Sequence, residues 1–364
     1  MGSNDSSPTE PPLPLSPGEI RAGRANREAQ GTGVKSYLFV QDRRPGSRLL
    51  EAMAKDLRYI PPGSLVEVTN RTLHARFLLL PSRQLKTIIN GAIGRAQRRY
   101  GMRIVAYVWM SNHFHMLLLP KDAKQLSRFI GYLQSKIAKE AGRLHDFREK
   151  FWARPYRGIV VSDEDEVQLA RLRYILEHGC KEGLVDSPKQ WPGASTTKAL
   201  MTGKPIEGVW FDRTREYNAR RNGKAFGKFD FADQETITLT PLPQWRELPE
   251  HKRQTQIRAL IREIESEVEQ RVRETGSPPM GVNAIYQQQP HARPANSKRS
   301  PAPRFHAKAG HVRRALERGY QRFYTAYREA ADKLRDGATG VEFPWGSFPP
   351  PARFVRLPGQ AGYG

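Results

Sequence analysis

The stretch RIVAYVWMSNHFHMLLLP, residues 103–120, constrains this chain more than any other. Two apolar runs flank a Ser111-Asn112 turn signal and Pro120 ends the second, a pattern that predicts two strands joined as a hairpin in the middle of a sheet. Side chains alternate along a strand, so His113 and His115 share one face while Phe114 takes the other. Two imidazoles on one face of a buried strand are costly unless a polar partner meets them. A metal ion is one such partner, and ordinary hydrogen-bonding side chains are another.

The flanking sequence supplies the rest of a domain. SLVEVTNRT alternates as a strand does. PSRQLKTIINGAIGRAQRRYG places Leu85, Ile88, Ile89, Ala92, Ile93 and Ala96 at helical spacing, with Gly101 as a stop. KQLSRFIGYLQSKIAKEAGRL reads as an amphipathic helix and FWARPYRGIVV as a fourth strand. DEDEVQLARLRYILEHG reads as a helix that follows a cap at Ser162 and stops at Gly179. The first six elements run β-α-β-β-α-β. This order predicts an α+β fold, a ferredoxin-like (RRM-like) antiparallel sheet with helices on one face. A mainly helical and partly disordered C-terminal extension follows.

Two histidines alone do not complete a metal site, so further ligands must come from an element packed near their strand. On the helix after the fourth strand, Tyr174 and His178 are four residues apart and project from one face. Leu169, Leu172 and Leu176 occupy the neighbouring face and can seat that helix on the sheet. A phenol is a weak nucleophile at its ordinary pKa, and a metal that polarises a phosphate makes its attack feasible. A helical tyrosine is more often a half-buried core residue, and Tyr132 and Tyr156 are rival nucleophiles of lower rank. Leu117 stands where a third alternate histidine would be, which excludes a HIT-type hydrolase.

The residues that carry a resemblance are now in view. AYVWMSNHFHMLLL, LRYILEHGCKEGLV and SPKQWPGAS occur in that order. Together they resemble the single-tyrosine HUH transposases, and among these the REP-associated tyrosine transposases, over roughly residues 57–195. The resemblance implies Tyr174 as the nucleophile, His113, His115 and His178 as metal ligands, and Mg²⁺ or Mn²⁺ as cofactor. It also implies single-stranded hairpin (palindromic) DNA as substrate, a 5′-phosphotyrosine intermediate, and often a homodimer. Two positions depart from the family pattern: Ser111 replaces a frequent proline, and His178-Gly179 stands where many members have Asn-Pro. A nitrogen donor at His178 points toward Mn²⁺.

The chain carries 60 Lys+Arg against 37 Asp+Glu, a net charge of +23, so a polyanion is the first partner to expect. Arg95, Arg98 and Arg99 lie on or near one helical face, and Lys150, Arg154 and Arg157 flank Trp152 and Tyr156. Guanidinium groups that pair with phosphates beside rings that stack on bases would suit a single strand. A basic helix face is also commonly just solvated. No apolar run has the roughly 20 residues needed to span a bilayer, so no membrane partner is expected. The N-terminal sequence lacks the apolar core of a signal peptide, and the single cysteine, Cys180, excludes a disulfide framework or zinc ribbon. A cytoplasmic, nucleoid-associated bacterial protein is the expectation.

The expected divisions are a disordered tail over 1–45, the catalytic domain over 46–195, and a basic, mainly helical extension over 196–276. A flexible basic linker follows over 277–310, then a C-terminal helix and Pro/Gly-rich tail over 311–364. A domesticated, non-catalytic nucleic-acid-binding protein on the same fold is the alternative. It would need none of His113, His115, Tyr174 and His178. A replication initiator or relaxase would ordinarily bring a helicase, primase or second tyrosine, and no P-loop occurs.

Overall fold

The computed structural model describes residues 57–227, 229–295 and 303–350. The tail expected over 1–45 lies outside the described residues. From there the predicted order holds: β1 (Leu65–Arg71), α1 (Arg83–Tyr100), β2 (Arg103–Trp109), β3 (His113–Leu119), α2 (Ala123–Leu144), β4 (Arg157–Val161) and α3 (Asp165–Lys181). Local chemistry sets the helix ends. Ser82 Oγ accepts the Leu85 N–H at 3.0 Å to start α1, and Gly101 closes it in the left-handed region at φ 61°. Asp122 caps α2 by accepting the Gln125 N–H at 2.6 Å.

The strands lie in the order β2-β3-β1-β4, with each neighbouring pair antiparallel, which is the ferredoxin-like arrangement. The histidine strand β3 is interior, but its hairpin partner β2 sits at the edge rather than in the middle. One face packs Val66, Val68, Phe114, Met116 and Leu118 against Leu85, Ile89 and Ile93 of α1 and Leu126, Phe129 and Leu133 of α2. The two helices of the β-α-β-β-α-β unit thus share one face, as expected. The other face is covered as well. Leu65, Val108, Leu117 and Val161 meet Leu172, Ile175 and Leu176 of α3 and Ile257, Ile261 and Ile264 of a later helix, α6 (Glu250–Thr275).

The region expected to be mainly helical contains α4 (Thr197–Thr202), α5 (Arg213–Arg221) and α6, and also a two-stranded sheet, β5 (Ile206–Phe211) with β6 (Ala232–Ile237). This hairpin lies directly on α1. A Cβ on Gly91 would overlap the Val209 carbonyl, and one on Gly208 would meet the Asn90 backbone, so the two glycines let helix and strand touch. The expected flexible linker over 277–310 needs correction. It holds α7 (Val282–Gln287) and β7 (Phe305–His306), and β7 pairs in parallel with β4 through Val160↔Phe305 and Val161↔His306. Phe305 drives this docking: it is buried with Val160 and with Tyr320 of α8 (Gly310–Arg335).

The outer edge of β2 is also engaged. The Thr240 N–H donates to Ile104 O at 2.7 Å, the Thr196 N–H to Tyr107 O at 3.0 Å, and the Trp109 N–H to Ala194 O at 2.9 Å. Among the described residues, no helix is long and apolar enough to cross a membrane. Gly91→Ala should lower stability by about 1–3 kcal/mol, the usual cost of overpacking a tight contact. Urea unfolding of the variant beside wild type checks this, and an unchanged midpoint would mean that the β5–β6 hairpin does not press on α1.

Candidate active site

The second sheet face carries the polar cluster. Glu67, Thr69 and Arg71 of β1 share it with His113, His115 and Leu117 of β3, because directly paired residues point the same way: Arg71↔His113, Thr69↔His115, Glu67↔Leu117. α3 crosses this face and presents Tyr174 and His178 from successive turns. The ligand nitrogens of His113, His115 and His178 all lie within 4.8 Å of one another. His113 Nε2 stands 2.7 Å from His178 Nε2. The Tyr174 ring meets His115 and His178 edge-on, at centroid distances of 5.2 and 5.0 Å. The four residues singled out by the sequence are therefore brought together.

Two of the three imidazoles are oriented by what their other nitrogen touches. His113 Nδ1 lies 2.6 Å from Asn112 Oδ1, and His115 Nδ1 lies 2.8 Å from Glu67 Oε1. With Nδ1 donating in both rings, Nε2 is left to carry a lone pair toward the cluster. His178 Nδ1 is buried and has no hydrogen-bond partner among the described residues. Burial, reinforced by the neighbouring imidazoles, holds the His113 pKa well below the usual histidine value. The same causes, with Lys181 nearby, lower His178 to about 3. Burial and the Glu67 carboxylate push the Tyr174 phenol up to about 12, against the opposing charge of Arg171. The Arg171 guanidinium and the Lys181 ammonium lie over the Tyr174 ring, 4.5 and 4.7 Å from its centroid.

Three converging nitrogens fit a divalent cation that accepts nitrogen donors, and burial already disfavours the protons of His113 and His178. His113, His115 and His178 would hold it.

Two contributors were invisible in the sequence. Glu67 reads as the solvent-facing residue of an alternating strand, yet it is 2% exposed. His306, in a Pro- and Lys-rich context, is carried onto the site by β7, with Nε2 2.9 Å from Glu67 Oε2. Alternation flags Glu67 only once β1 is known to be covered on both faces.

The expected nucleic-acid residues divide. Arg95 Nη1 is 2.9 Å from Glu235, and Arg98 Nη2 is 2.7 Å from the same carboxylate, so both hold β6 onto α1. Arg99 lies over the Tyr132 ring, 5.4 Å from its centroid. Trp152 packs against Trp109 and Phe114 and donates Nε1–H to Gln134 O at 3.0 Å. Tyr156 is 8% exposed in the first core, with Arg58 over its ring. The Tyr156 ring is built into the core, which corrects the expectation that a base stacks on it, while Trp152 is half-buried against that core and also lines a groove with Lys150 and Arg154. Lys150, Arg154 and Arg157 are exposed. Lys150 and Arg154 line a groove of about 770 Å³ between α2 and the loop over residues 146–155, beside Lys139, Arg143 and Arg148. The groove borders the sheet end that bears His113: the Ala153 N–H donates to Arg71 O at 3.0 Å, and the Thr72 N–H to Asn112 O at 2.9 Å.

Residues 74–178 match the family described as "Transposase IS200 like". A solved REP-associated tyrosine transposase bound to a REP hairpin is similar at 20% identity and a TM-score of 0.35, over 42% of this chain and 87% of that one. A protein from Deinococcus radiodurans R1 described as a transposase is similar at 15% identity and a TM-score of 0.22, over 33% of this chain and 95% of that one. No curated protein matches this chain.

The folded His178 ring takes up a proton only near pH 3, whereas an unfolded histidine does so near pH 6.5. Between these values the unfolded state holds more protons, so stability falls as pH drops from about 6.5 toward 3. Urea midpoints of the metal-free protein should decline through that window, and His178→Asn should decline less. Equal slopes would remove His178 from the acid response.

Proposed function

We propose, from the IS200-like transposase domain carried by residues 74–178, that this protein cuts and rejoins single-stranded DNA through Tyr174. The observation that carries the reading is the meeting of His113, His115 and His178 beside the Tyr174 ring. Hairpin DNA is the proposed substrate. The groove cations Lys139, Lys150 and Arg154, with Arg157 at the end of the sheet, support a path for its phosphates toward His113.

In the proposed step, the Tyr174 oxygen forms a bond to phosphorus as the bond from phosphorus to the 3′ oxygen breaks. The phenolic proton is lost from Tyr174 and the leaving oxygen ends as a 3′-OH, with the 5′ phosphate on the tyrosine. Rejoining is the reverse, with a different 3′-OH as attacker, so no ATP is consumed. A bound Mg²⁺ or Mn²⁺ would supply Lewis-acid polarisation of the phosphate. The chain's own residues do the rest. Asn112 and Glu67 turn the His113 and His115 rings. Arg171 opposes the rise in the Tyr174 pKa, and Arg171 and Lys181 both place positive charge over the ring where the phenolate forms. With its pKa near 12, the resting phenol is protonated at neutral pH, so the enzyme does not hold a free phenolate before DNA binds.

The test is a suicide-substrate assay with hairpin single strands from the flanks of the gene, in Mn²⁺ or Mg²⁺. Wild type should form a protein–DNA adduct that survives a denaturing gel, and Tyr174→Phe and His113→Ala should form none. An adduct that persists in Tyr174→Phe would move the nucleophile elsewhere. Tight hairpin binding with no adduct in wild type would favour the non-catalytic binder. For the DNA path, Arg154→Ala and Arg157→Ala should each lower the salt slope of hairpin binding by about 1, the signature of one lost phosphate contact. Unchanged slopes would place the strand on another surface.

A further inference from the structure

A deeply buried charge beside the histidine cluster belongs to a residue outside the matched segment, 74–178. Glu67 sits on interior strand β1, 2% exposed, between two valines that serve the opposite core. Three elements bring nitrogens to its carboxylate: His115 Nδ1 of β3 at 2.8 Å and Arg171 Nη1 of α3 at 3.4 Å, and His306 Nε2 of β7 at 2.9 Å, within ion-pair range but outside hydrogen-bond geometry. A carboxylate this deep is strongly destabilising unless its neighbours compensate it. Burial alone would raise its pKa, but the contacts from His115 and His306 and the Arg171 charge outweigh burial and hold it well below the usual carboxylate range.

The His306 contact depends on how β7 is attached. The two-residue strand pairs with β4, and its His306 carbonyl accepts the Ser162 N–H at 2.9 Å. The next turn of chain is clamped to Glu164, whose carboxylate accepts the Lys308 N–H at 3.0 Å and the Ala309 N–H at 2.8 Å. Phe305 is buried on the far side of the same strand. His306 is therefore fixed in place by backbone bonds rather than draped over the site.

We propose that Glu67 is the positioning residue of the histidine cluster, and that the C-terminal region completes the site by holding Glu67 through His306. This rests on the metal-assisted reading above. Glu67 keeps a proton on His115 Nδ1 and so keeps Nε2 as the atom offered to the cluster. Arg171 and His306 occupy the second carboxylate oxygen, which commits the first to His115. An isosteric amide cannot do both jobs. In Glu67→Gln the single amide oxygen faces the Arg171 cation, the amide NH₂ turns to His115, and His115 must accept at Nδ1. That moves the ring proton to Nε2 and removes the lone pair from the cluster.

The experiment uses the full chain, labelled with ¹⁵N in histidine, and reads the protonated ring nitrogen of His115 by NMR in the metal-free protein. Wild type should show a protonated Nδ1, and Glu67→Gln should show the proton at Nε2. An Nδ1 lone pair in wild type, or no change in the variant, would overturn the proposal. The wild-type spectrum decides this even if the variant does not fold. The second readout is Mn²⁺ affinity by calorimetry. Glu67→Gln should bind about 10–100-fold more weakly, the usual loss when the partner of a ligating histidine is removed. His306→Ala should lose affinity in the same direction by a smaller factor, and unchanged affinity would sink the role of the C-terminal region. A wild type with His115 protonated at Nδ1 but no Mn²⁺ binding would support the Glu67 assignment and sink the metal-assisted reading instead.

Discussion

The packing of α3 on the histidine-bearing face of the sheet is the interaction on which the site depends. Leu172, Ile175 and Leu176 are each nearly fully buried there, against Val108 and Leu117 among others. Burying side chains of this size contributes roughly 1.5–3 kcal/mol each, which is more than the polar contacts around them can supply. That apolar stripe fixes the rotation of the helix. With the rotation fixed, Tyr174 and His178 fall on the sheet rather than in water, and the distances among the three imidazoles follow. A helix rotated by one residue, about 100°, would turn that stripe off the sheet and lose the cluster with it.

The fold was legible to the extent that its signals were periodic. Alternation in β1, the apolar runs of β2 and β3, helical spacing from Leu85 to Ala96, and the stops at Gly101 and Pro120 all marked elements that the structure contains. The placement of β2 was not legible, because nothing local says which member of a hairpin is the edge. β7 was hidden for a different reason. Two residues paired in parallel to a strand more than 140 positions earlier leave no periodic trace, and the surrounding Pro, Lys and Arg read as linker.

The meeting of His113, His115, Tyr174 and His178 was legible because chemistry and spacing coincide there. The surroundings of the candidate site were obscure where they depend on burial. Glu67 looked like an outward-facing strand residue because a sequence does not show that α3 will cover that face. Tyr156 misled in the opposite direction. Aromatic residues among arginines suit nucleic acid in a sequence, but here the first core buries Tyr156 and Arg58 lies over its ring. Arg95 and Arg98 were similarly claimed by Glu235, a residue more than 130 positions away. Charge totals predict a basic surface well and say little about which arginines are left to form it.

The capping of both sheet edges bears on how copies of this chain can meet. An open edge strand offers unpaired amides and carbonyls to any neighbour and invites continuous pairing between molecules. Here the β2 edge spends those groups on Ala194, Thr196 and Thr240, and β7, only two residues long, covers the β4 edge at Val160 and Val161. Two protomers cannot extend the sheet across β2 without first detaching the chain that covers it. On the other side a newcomer would find too short a ladder to hold. Among the described residues, self-association by extending this sheet is therefore disfavoured, and the same covering guards a two-sided, strongly apolar sheet against aggregation.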